Sequence, residues 1–186
     1  MKHLGLIVED RSDADVVQEL ARKIARRDFA VRAVLAGGCG KMQGKARAWA
    51  QDLRRNGCSL LVLIRDLDNR QLDELVTNLR AALDPCPIAD HVIVIAVREI
   101  EAWLLADHDA VTIGLKLRRP LKKQSNPEAI ENPKERLRDL IRERSRGSKI
   151  YLNTVDNVRI ARSAHVANLR RCASFLPFER FIRRHL

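Results

Sequence analysis

The chain has 186 residues, of which 46% are hydrophobic and 4% aromatic, and its 35 basic and 24 acidic side chains give a formal net charge of +11. This composition is typical of a globular protein and excludes a disordered or fibrous chain, and the length fits one compact domain. Because aromatic side chains are scarce, the positive charge indicates binding to phosphate groups rather than stacking on bases.

The positive charge is concentrated in the second half of the chain. Residues 1–100 carry 16 basic and 14 acidic side chains, whereas residues 101–186 carry 19 and 10. We therefore expect a single domain over residues 1–186, in which an α/β core at 1–107 is followed by a basic helical extension at 108–186.

Neither a membrane segment nor a disulfide framework is expected. No apolar run approaches the roughly 20 residues that cross a bilayer, and the N-terminus lacks the features of a signal peptide, so we expect a cytoplasmic protein that does not bind membranes. The four cysteines, at positions 39, 58, 86 and 172, form no CxxC pair. This spacing favours reduced thiols over disulfides or a zinc site.

Short apolar runs alternate with amphipathic segments in the first hundred residues. Strands are predicted at 4–8, 30–35, 59–64 and 92–97, and helices at 12–27, 45–55, 71–83 and 100–106. Ser12 is predicted to cap the first helix, with Asp15 three residues later. Because buried strands alternate with helices, the expected fold is α/β, with a mainly parallel four-stranded sheet flanked by helices.

Acidic side chains follow three of the four predicted strands. Because right-handed crossovers bring the carboxyl ends of parallel strands to one edge of the sheet, these carboxylates are expected to lie together. Like charges that share an edge repel each other unless a cation compensates them, and oxygen ligands select Mg²⁺ or Mn²⁺. A bound ion could activate water for attack on a phosphodiester. The predicted metal ligands are Glu9, Asp66, Asp68, Glu99 and Glu101.

Each of these acids also has a structural interpretation. An acid after a strand is usually a helix cap or a turn former, and this role suits the aspartates after the first strand, Asp10, Asp13 and Asp15. Asp68-Asn69 is an ordinary turn sequence. If a helix begins at Glu99, one of Glu99 and Glu101 is a cap and only the other belongs to the metal site.

Two stretches carry a resemblance to known proteins. Leu6-Ile7-Val8-Glu9 followed by Asp13, together with residues 61–68 (LVLIRDLD), resembles the Toprim pattern of topoisomerases, primases and OLD-family nucleases. Residues 98–107 (REIEAWLLAD) with Asn132-Pro133-Lys134 resemble, more narrowly, a bacterial Toprim-like family of unknown function. Members of that family are often encoded beside an ABC-type ATPase in defence islands.

The resemblance implies a Rossmann-like Toprim fold and a catalytic set of Glu9, Asp66 and Asp68. In Toprim proteins the glutamate acts as general acid or base and the Asp-x-Asp pair binds Mg²⁺. Only the narrower family extends the site to Glu99 and Glu101. Asp10 stands where a glycine normally follows the glutamate.

The glycine-rich stretch at residues 37–44 is predicted to be a loop. It does not match a P-loop, because Cys39 and Ala46 stand where that motif requires Gly and Ser or Thr. Lys41 and Lys45 could still hold a phosphate at the start of the next helix. A flexible turn with no ligand is an equal interpretation.

A second basic segment, at residues 116–123, carries five positive charges and no acid. A charged loop of this kind beside an acidic metal site would guide a nucleic-acid backbone. The side chains expected to contact phosphates there are Arg118, Arg119, Lys122 and Lys123.

The predicted function is that of a nuclease that depends on Mg²⁺ or Mn²⁺ and hydrolyses phosphodiesters of DNA or RNA. The resemblance adds a role as the effector subunit of a two-component system with a separately encoded ABC- or AAA-type ATPase, in phage defence, and a homo-oligomer is left open. One alternative is a non-catalytic nucleic-acid-binding or regulatory subunit with a degenerate Toprim site. A third is a phosphoryl-transfer enzyme that acts on small phosphate esters.

Overall fold

The computed structural model describes residues 1–186 with the exception of the Cys39 side chain, so the expectation of a reduced thiol at Cys39 lies outside the described residues. The other three cysteines, Cys58, Cys86 and Cys172, are free thiols, as the sequence predicts. No helix in the described part of the chain has both the length and the apolar character needed to cross a membrane.

A four-stranded, all-parallel sheet forms the centre of the molecule. Its strands, in chain order, are β1 (Lys2–Val8), β2 (Phe29–Leu35), β3 (Leu60–Asp66) and β4 (Asp90–Ala96). They lie in the order β2-β1-β3-β4, which makes β1 and β3 the central pair. The central strands are apolar on both faces because helices cover both sides of the sheet. The predicted α/β fold is thus confirmed.

The helices are α1 (Arg11–Ile24), α2 (Cys39–Arg55), α3 (Leu72–Leu83), α4 (Glu101–Ala106), α5 (His108–Gly114), α6 (Pro133–Arg144), α7 (Asn153–Ser163), α8 (Val166–Leu169) and α9 (Leu176–His185). Short 3₁₀ turns lie at Pro127–Ala129 and Ala173–Phe175. Helices α2 and α3 cover one face of the sheet. The other face carries α1 and the C-terminal helices, which share one apolar core with it. The ring of Trp103 packs edge-on against Phe175 in this core, with 5.2 Å between the ring centroids.

The first helix begins earlier than the sequence predicts, because Asp10 and not Ser12 is its N-cap. The Asp10 Oδ1 accepts a hydrogen bond from the Asp13 N–H at 3.1 Å. The Ser12 hydroxyl is buried and instead donates to the Asn153 carbonyl at 3.0 Å. A contact with a residue 141 positions away has thus replaced the local cap, which sequence spacing cannot reveal.

The second helix also begins earlier, at Cys39 rather than at residue 45, so most of the predicted glycine-rich loop is helical. The loop is reduced to Gly37 and Gly38, whose φ angles of 63° and 125° suit glycine. The helix extends through the low-propensity glycines that follow because Met42 and Ala46 are fully buried against the sheet. Burial outweighs propensity here.

Candidate carboxylate site at the sheet edge

The carboxyl ends of the central strands place acidic side chains from four elements at one edge of the sheet. Glu9 follows β1, Asp66 ends β3, Asp13 lies in the first turn of α1, and Glu101 begins α4. Two hydrogen bonds fix the surrounding backbone. The Ile100 N–H donates to Asp66 Oδ1 at 3.0 Å, and the Gly37 N–H donates to the Glu9 carbonyl at 3.0 Å. The predicted convergence of the strand ends is therefore present in the fold.

Burial and mutual repulsion make these carboxylates difficult to ionise. Burial, reinforced by the charges of Asp13 and Glu101, raises the pKa of Asp66 well above its usual range. Burial and the neighbouring Asp10 and Glu101 charges raise the pKa of Asp13 to about 8. Burial also raises the pKa of Glu9, against the opposing effect of Arg65. The edge thus carries more negative charge than its own cations compensate.

The Asp-x-Asp pair does not continue in strand geometry. Asp68 adopts a left-handed backbone conformation, with φ of 51°, and is exposed. Its N–H donates to the Arg98 carbonyl at 2.9 Å, and its carbonyl accepts from Arg98 Nη1 at 3.1 Å. The expectation that both aspartates share one face assumed an extended chain, whereas the chain turns at Asp68. The Asp68 charge acts instead on Glu9, where it raises the pKa.

Arg65 is a buried cation of the site that the sequence prediction missed. Its side chain is 0% exposed, and its Nε lies 3.4 Å from Glu9 Oε1. Among the described residues, neither the guanidinium nitrogens of Arg65 nor Glu9 Oε1 has a hydrogen-bond partner. A buried charge with so little compensation is costly, and such groups are frequent at functional sites. The sequence does contain one sign of this residue, since Arg65 is a charged residue near the end of an otherwise apolar predicted strand.

Glu99 and Glu101 both have structural roles that occupy one oxygen each. Glu99 Oε2 accepts from the Lys134 N–H at 2.8 Å and thereby caps the start of α6. Glu101 is only 4% exposed, and its Oε1 accepts from Asn157 Nδ2 at 3.0 Å and from the Tyr151 hydroxyl at 3.5 Å. Burial raises the pKa of Glu101. Tyr151 and Asn157 lie about fifty residues further along the chain, so no local spacing announces them.

The carboxylates at the edge have the oxygen atoms that a divalent cation prefers, but they lie too far apart to bind one in their present positions. Within the described side chains, no group of three or more His, Cys, Asp and Glu residues is arranged to hold a metal ion. The donors at the edge are nevertheless all carboxylate oxygens, which suit Mg²⁺ or Mn²⁺. Glu9 Oε1 is buried without a hydrogen bond among the described residues and faces Arg65 Nε at 3.4 Å, so its negative charge is only partly compensated. Binding would require Glu9, Asp13 and Asp66 to draw together.

The two predicted lysines lie on α2, which begins beside Glu9. Lys41 is in the first turn of the helix, and its Nζ lies 3.8 Å from the point where a Cβ on Gly37 would be. Lys45 is exposed one turn later. Gly37 is hydrogen-bonded to Glu9, so Lys41 lies beside the loop that borders the carboxylate edge.

The predicted basic loop lies between α5 and α6, and its four predicted phosphate contacts are all exposed: Arg118, Arg119, Lys122 and Lys123. The loop is anchored from within, because Leu117 and Leu121 are buried in the core. The Thr112 hydroxyl accepts from the Leu121 N–H at 3.0 Å. The cations are therefore held at the surface by a fixed backbone.

The chain belongs to the DUF4276 family, described as a domain of unknown function, whose sequence profile matches residues 8–183. The match includes the carboxylate edge, the cap of α6 and the basic loop. No curated protein and no solved structure is significantly similar to the chain.

Proposed function

We propose that this chain is a divalent-metal-dependent nuclease that hydrolyses phosphodiester bonds of DNA or RNA. One observation carries the proposal: Glu9, Asp13 and Asp66 converge where burial and mutual repulsion raise the pKa of each. Carboxylates that repel one another in the metal-free protein gain most from a divalent cation, and the basic surroundings suit a phosphate substrate.

The proposed roles follow from the position of each side chain. Glu9, Asp13 and Asp66 would hold Mg²⁺ or Mn²⁺, and Glu99 or Glu101 would supply a further oxygen. Asp68, which the sequence places in the metal site, would act on Glu9 through its charge. The bound ion would supply charge neutralisation at the phosphate and a more acidic water. Glu9 would accept a proton from water at a carboxylate oxygen, while Arg65 keeps that side chain in place from beneath. Lys41 and Lys45 would bind the substrate phosphates nearest the edge.

The wider context of the proposal rests on the Toprim-like resemblance. In that context the chain is the effector subunit of a two-component system in phage defence, beside a separately encoded ABC- or AAA-type ATPase. Nucleic acid would be its substrate. Self-association into a homo-oligomer is compatible with the proposal and is not required by it.

One observation favours a second candidate function, a nucleic-acid-binding subunit without catalysis. Glu99 already caps α6, and Glu101 already belongs to a buried hydrogen-bond network. A site whose outer acids serve the fold is also what a degenerate catalytic centre would contain. The two candidates differ in one measurable property, which is whether the metal-loaded protein cleaves its ligand.

The decisive experiment compares Asp66→Asn with wild type in metal binding and in cleavage. Calorimetric titration with Mn²⁺ should detect binding to wild type, and Asp66→Asn should weaken it at least about 10-fold. Cleavage of labelled DNA and RNA in Mn²⁺ should fall by a factor on the order of 10² or more. Asn keeps the acceptor for the Ile100 N–H, so the fold should be retained.

Asp52→Asn is the matched control, because Asp52 lies in the last turns of α2 and its side chain is 60% exposed. It should leave metal binding and cleavage unchanged. Equal cleavage by wild type and Asp66→Asn would refute the catalytic role of Asp66. Metal-independent binding without cleavage by wild type would favour the second candidate. Turnover of small phosphate esters that is insensitive to salt would indicate phosphoryl-transfer chemistry.

A further inference from the structure

A cationic cleft lies outside the carboxylate site, between the loop that follows α5 and the C-terminal end of α6. Its volume is about 680 Å³. No acidic residue is among the described residues that line it. Its six cationic lining residues are Lys116, Arg118, Arg119, Arg144, Arg146 and Lys149.

The two walls of the cleft are joined and preformed. The Lys149 ammonium group donates to the Leu115 carbonyl, which links the end of one wall to the start of the other. The second wall is a tight turn, in which the Gly147 N–H donates to the Arg142 carbonyl at 2.8 Å and the Lys149 N–H donates to Ser145 Oγ at 3.2 Å. The backbone that carries the cations is therefore fixed before any ligand arrives, which lowers the entropic cost of binding.

The backbone of the cleft is strained on both sides. Lys116 and Arg146 both have left-handed conformations, with φ of 51° and 52°, where non-glycine residues are uncommon. Arg144 is 19% exposed, and its Nε is buried without a hydrogen-bond partner among the described residues. Such strain and unsatisfied polar atoms tend to occur where a ligand compensates them.

We propose that this cleft binds consecutive phosphate groups of a nucleic-acid strand, and this inference rests on the proposed nuclease function. Arg144 pairs with Glu143, at 3.6 Å and outside the lining, but the six cations outnumber this single acid. They repel each other, and a polyanion relieves that repulsion. Four of the six are arginines, whose guanidinium groups match phosphate oxygens in bidentate geometry.

Helix α6 sets the distance from the cleft to the carboxylate site. The first turn of α6 contains Lys134, whose N–H is bonded to Glu99, and the last residue of the helix, Arg144, lines the cleft. Ten residues of α-helix span about 15 Å. Phosphates of one strand of B-form DNA advance about 3.4 Å each along the axis, so the two sites would lie roughly four to five nucleotides apart.

The test is the affinity for a fluorescein-labelled 12-nucleotide single strand, measured by anisotropy in EDTA over a range of salt concentrations. The double variant Arg118→Gln/Arg144→Gln removes one cation from each wall. It should weaken binding about 10- to 100-fold at low salt and reduce the slope of log K against log salt by about two. The control Arg54→Gln/Arg55→Gln removes the same charge from the exposed last turn of α2 and should change affinity less than about 2-fold.

Different outcomes of this experiment decide the cleft inference and the nuclease function. If the cleft variant binds like the control variant, or if wild type binds no nucleic acid, the cleft inference is overturned. If the cleft variant loses binding but no protein cleaves in Mn²⁺, the cleft inference stands and the nuclease function fails. In an active enzyme, the cleft variant should slow cleavage of the 12-nucleotide strand and not of a dinucleotide, whose single phosphodiester cannot occupy both sites. Equal slowing of both would contradict the span that α6 sets.

Discussion

Two regions of this chain bury acidic side chains with opposite electrostatic results. At the carboxylate edge, burial and neighbouring acids raise the pKa of Asp13, Asp66 and Glu101. Among the C-terminal helices, Glu179 accepts hydrogen bonds from Arg170 and from Arg183, each as short as 2.7 Å, and these bonds outweigh burial and lower its pKa. Burial is common to both regions, so the difference lies in the balance between donors and neighbouring acids. Glu101 also accepts a hydrogen bond, from Asn157, but burial and the charge of Glu99 outweigh it.

Asp107 belongs with the second region, although it is completely buried. Burial alone would raise the pKa of Asp107, but the N–H donors of His165, at 2.7 Å, and Ala110, at 3.1 Å, outweigh burial and lower it. These acids stabilise the fold in their charged form. The acids of the carboxylate edge oppose folding in their charged form, which is reasonable if a cation normally accompanies them.

The largest expected effect concerns Asp107, whose charged form is expected to stabilise the fold. Asp107→Ala removes the acceptor for the buried Ala110 N–H at the start of α5 and for the part-buried His165 N–H ahead of α8. We expect a loss of about 3 kcal/mol in the free energy of unfolding, because unsatisfied buried donors are costly. Urea denaturation at pH 7 measures this loss.

Asp109→Ala is the matched control, because Asp109 lies in the first turn of α5 and its side chain is 61% exposed. It should cost less than about 0.5 kcal/mol. Equal losses for the two variants would mean that the buried hydrogen bonds of Asp107 contribute little, and the contrast between the two regions would then lose its basis.

How far the sequence predicts the structure differs between the fold and the site. The sheet was predictable, since four short apolar runs alternate with amphipathic segments and the crossover rule then places Glu9 and Asp66 at one edge. The start of α2 was not predictable, because the burial of Met42 compensates for the low helix propensity of the nearby glycines. The buried role of Asp13 was hidden, since both Asp10 and Asp13 have the spacing of a cap. Asn157 reaches Glu101 only through tertiary packing.

The second prediction concerns the pH dependence of stability at the carboxylate edge. Asp13 has a pKa of about 8 in the folded protein and an ordinary value of 3.8, so folding takes up protons between these pH values. Stability of the metal-free protein should therefore fall as pH rises through this window. From pH 6 to pH 8 in EDTA and low salt, we expect Asp13 to contribute a decrease of roughly 2 kcal/mol, and Asp13→Asn should reduce the wild-type decrease by about that amount. The raised pKa values of Asp66, Glu9 and Glu101 add to the fall and persist in the variant.

Asp15→Asn is the control here, because Asp15 lies on the same helix but pairs with Arg11 at 3.0 Å. It should retain the wild-type decrease. Asp107 and Glu179 do not confuse the measurement, since acids with lowered pKa values lose their contribution only as pH falls below the ordinary range. A wild-type stability that rises from pH 6 to pH 8 would show that the negative charge of the edge is better compensated than its side chains indicate.

The smallest expected effect concerns Glu99, which belongs to both regions because it lies at the edge and serves as a cap. Glu99→Ala removes the acceptor for the Lys134 N–H and should cost about 1 kcal/mol, while Glu99→Gln keeps an acceptor and should cost less than about 0.5 kcal/mol. Hydrogen exchange should show faster exchange of the Lys134 amide in Glu99→Ala alone. Glu135→Ala is the control, because it removes the same charge from the first turn of α6 but not the hydrogen bond. If Glu135→Ala exposes the Lys134 amide equally, the effect of Glu99 is that of a charge near the helix dipole, and its carboxylate is free to serve as a metal ligand.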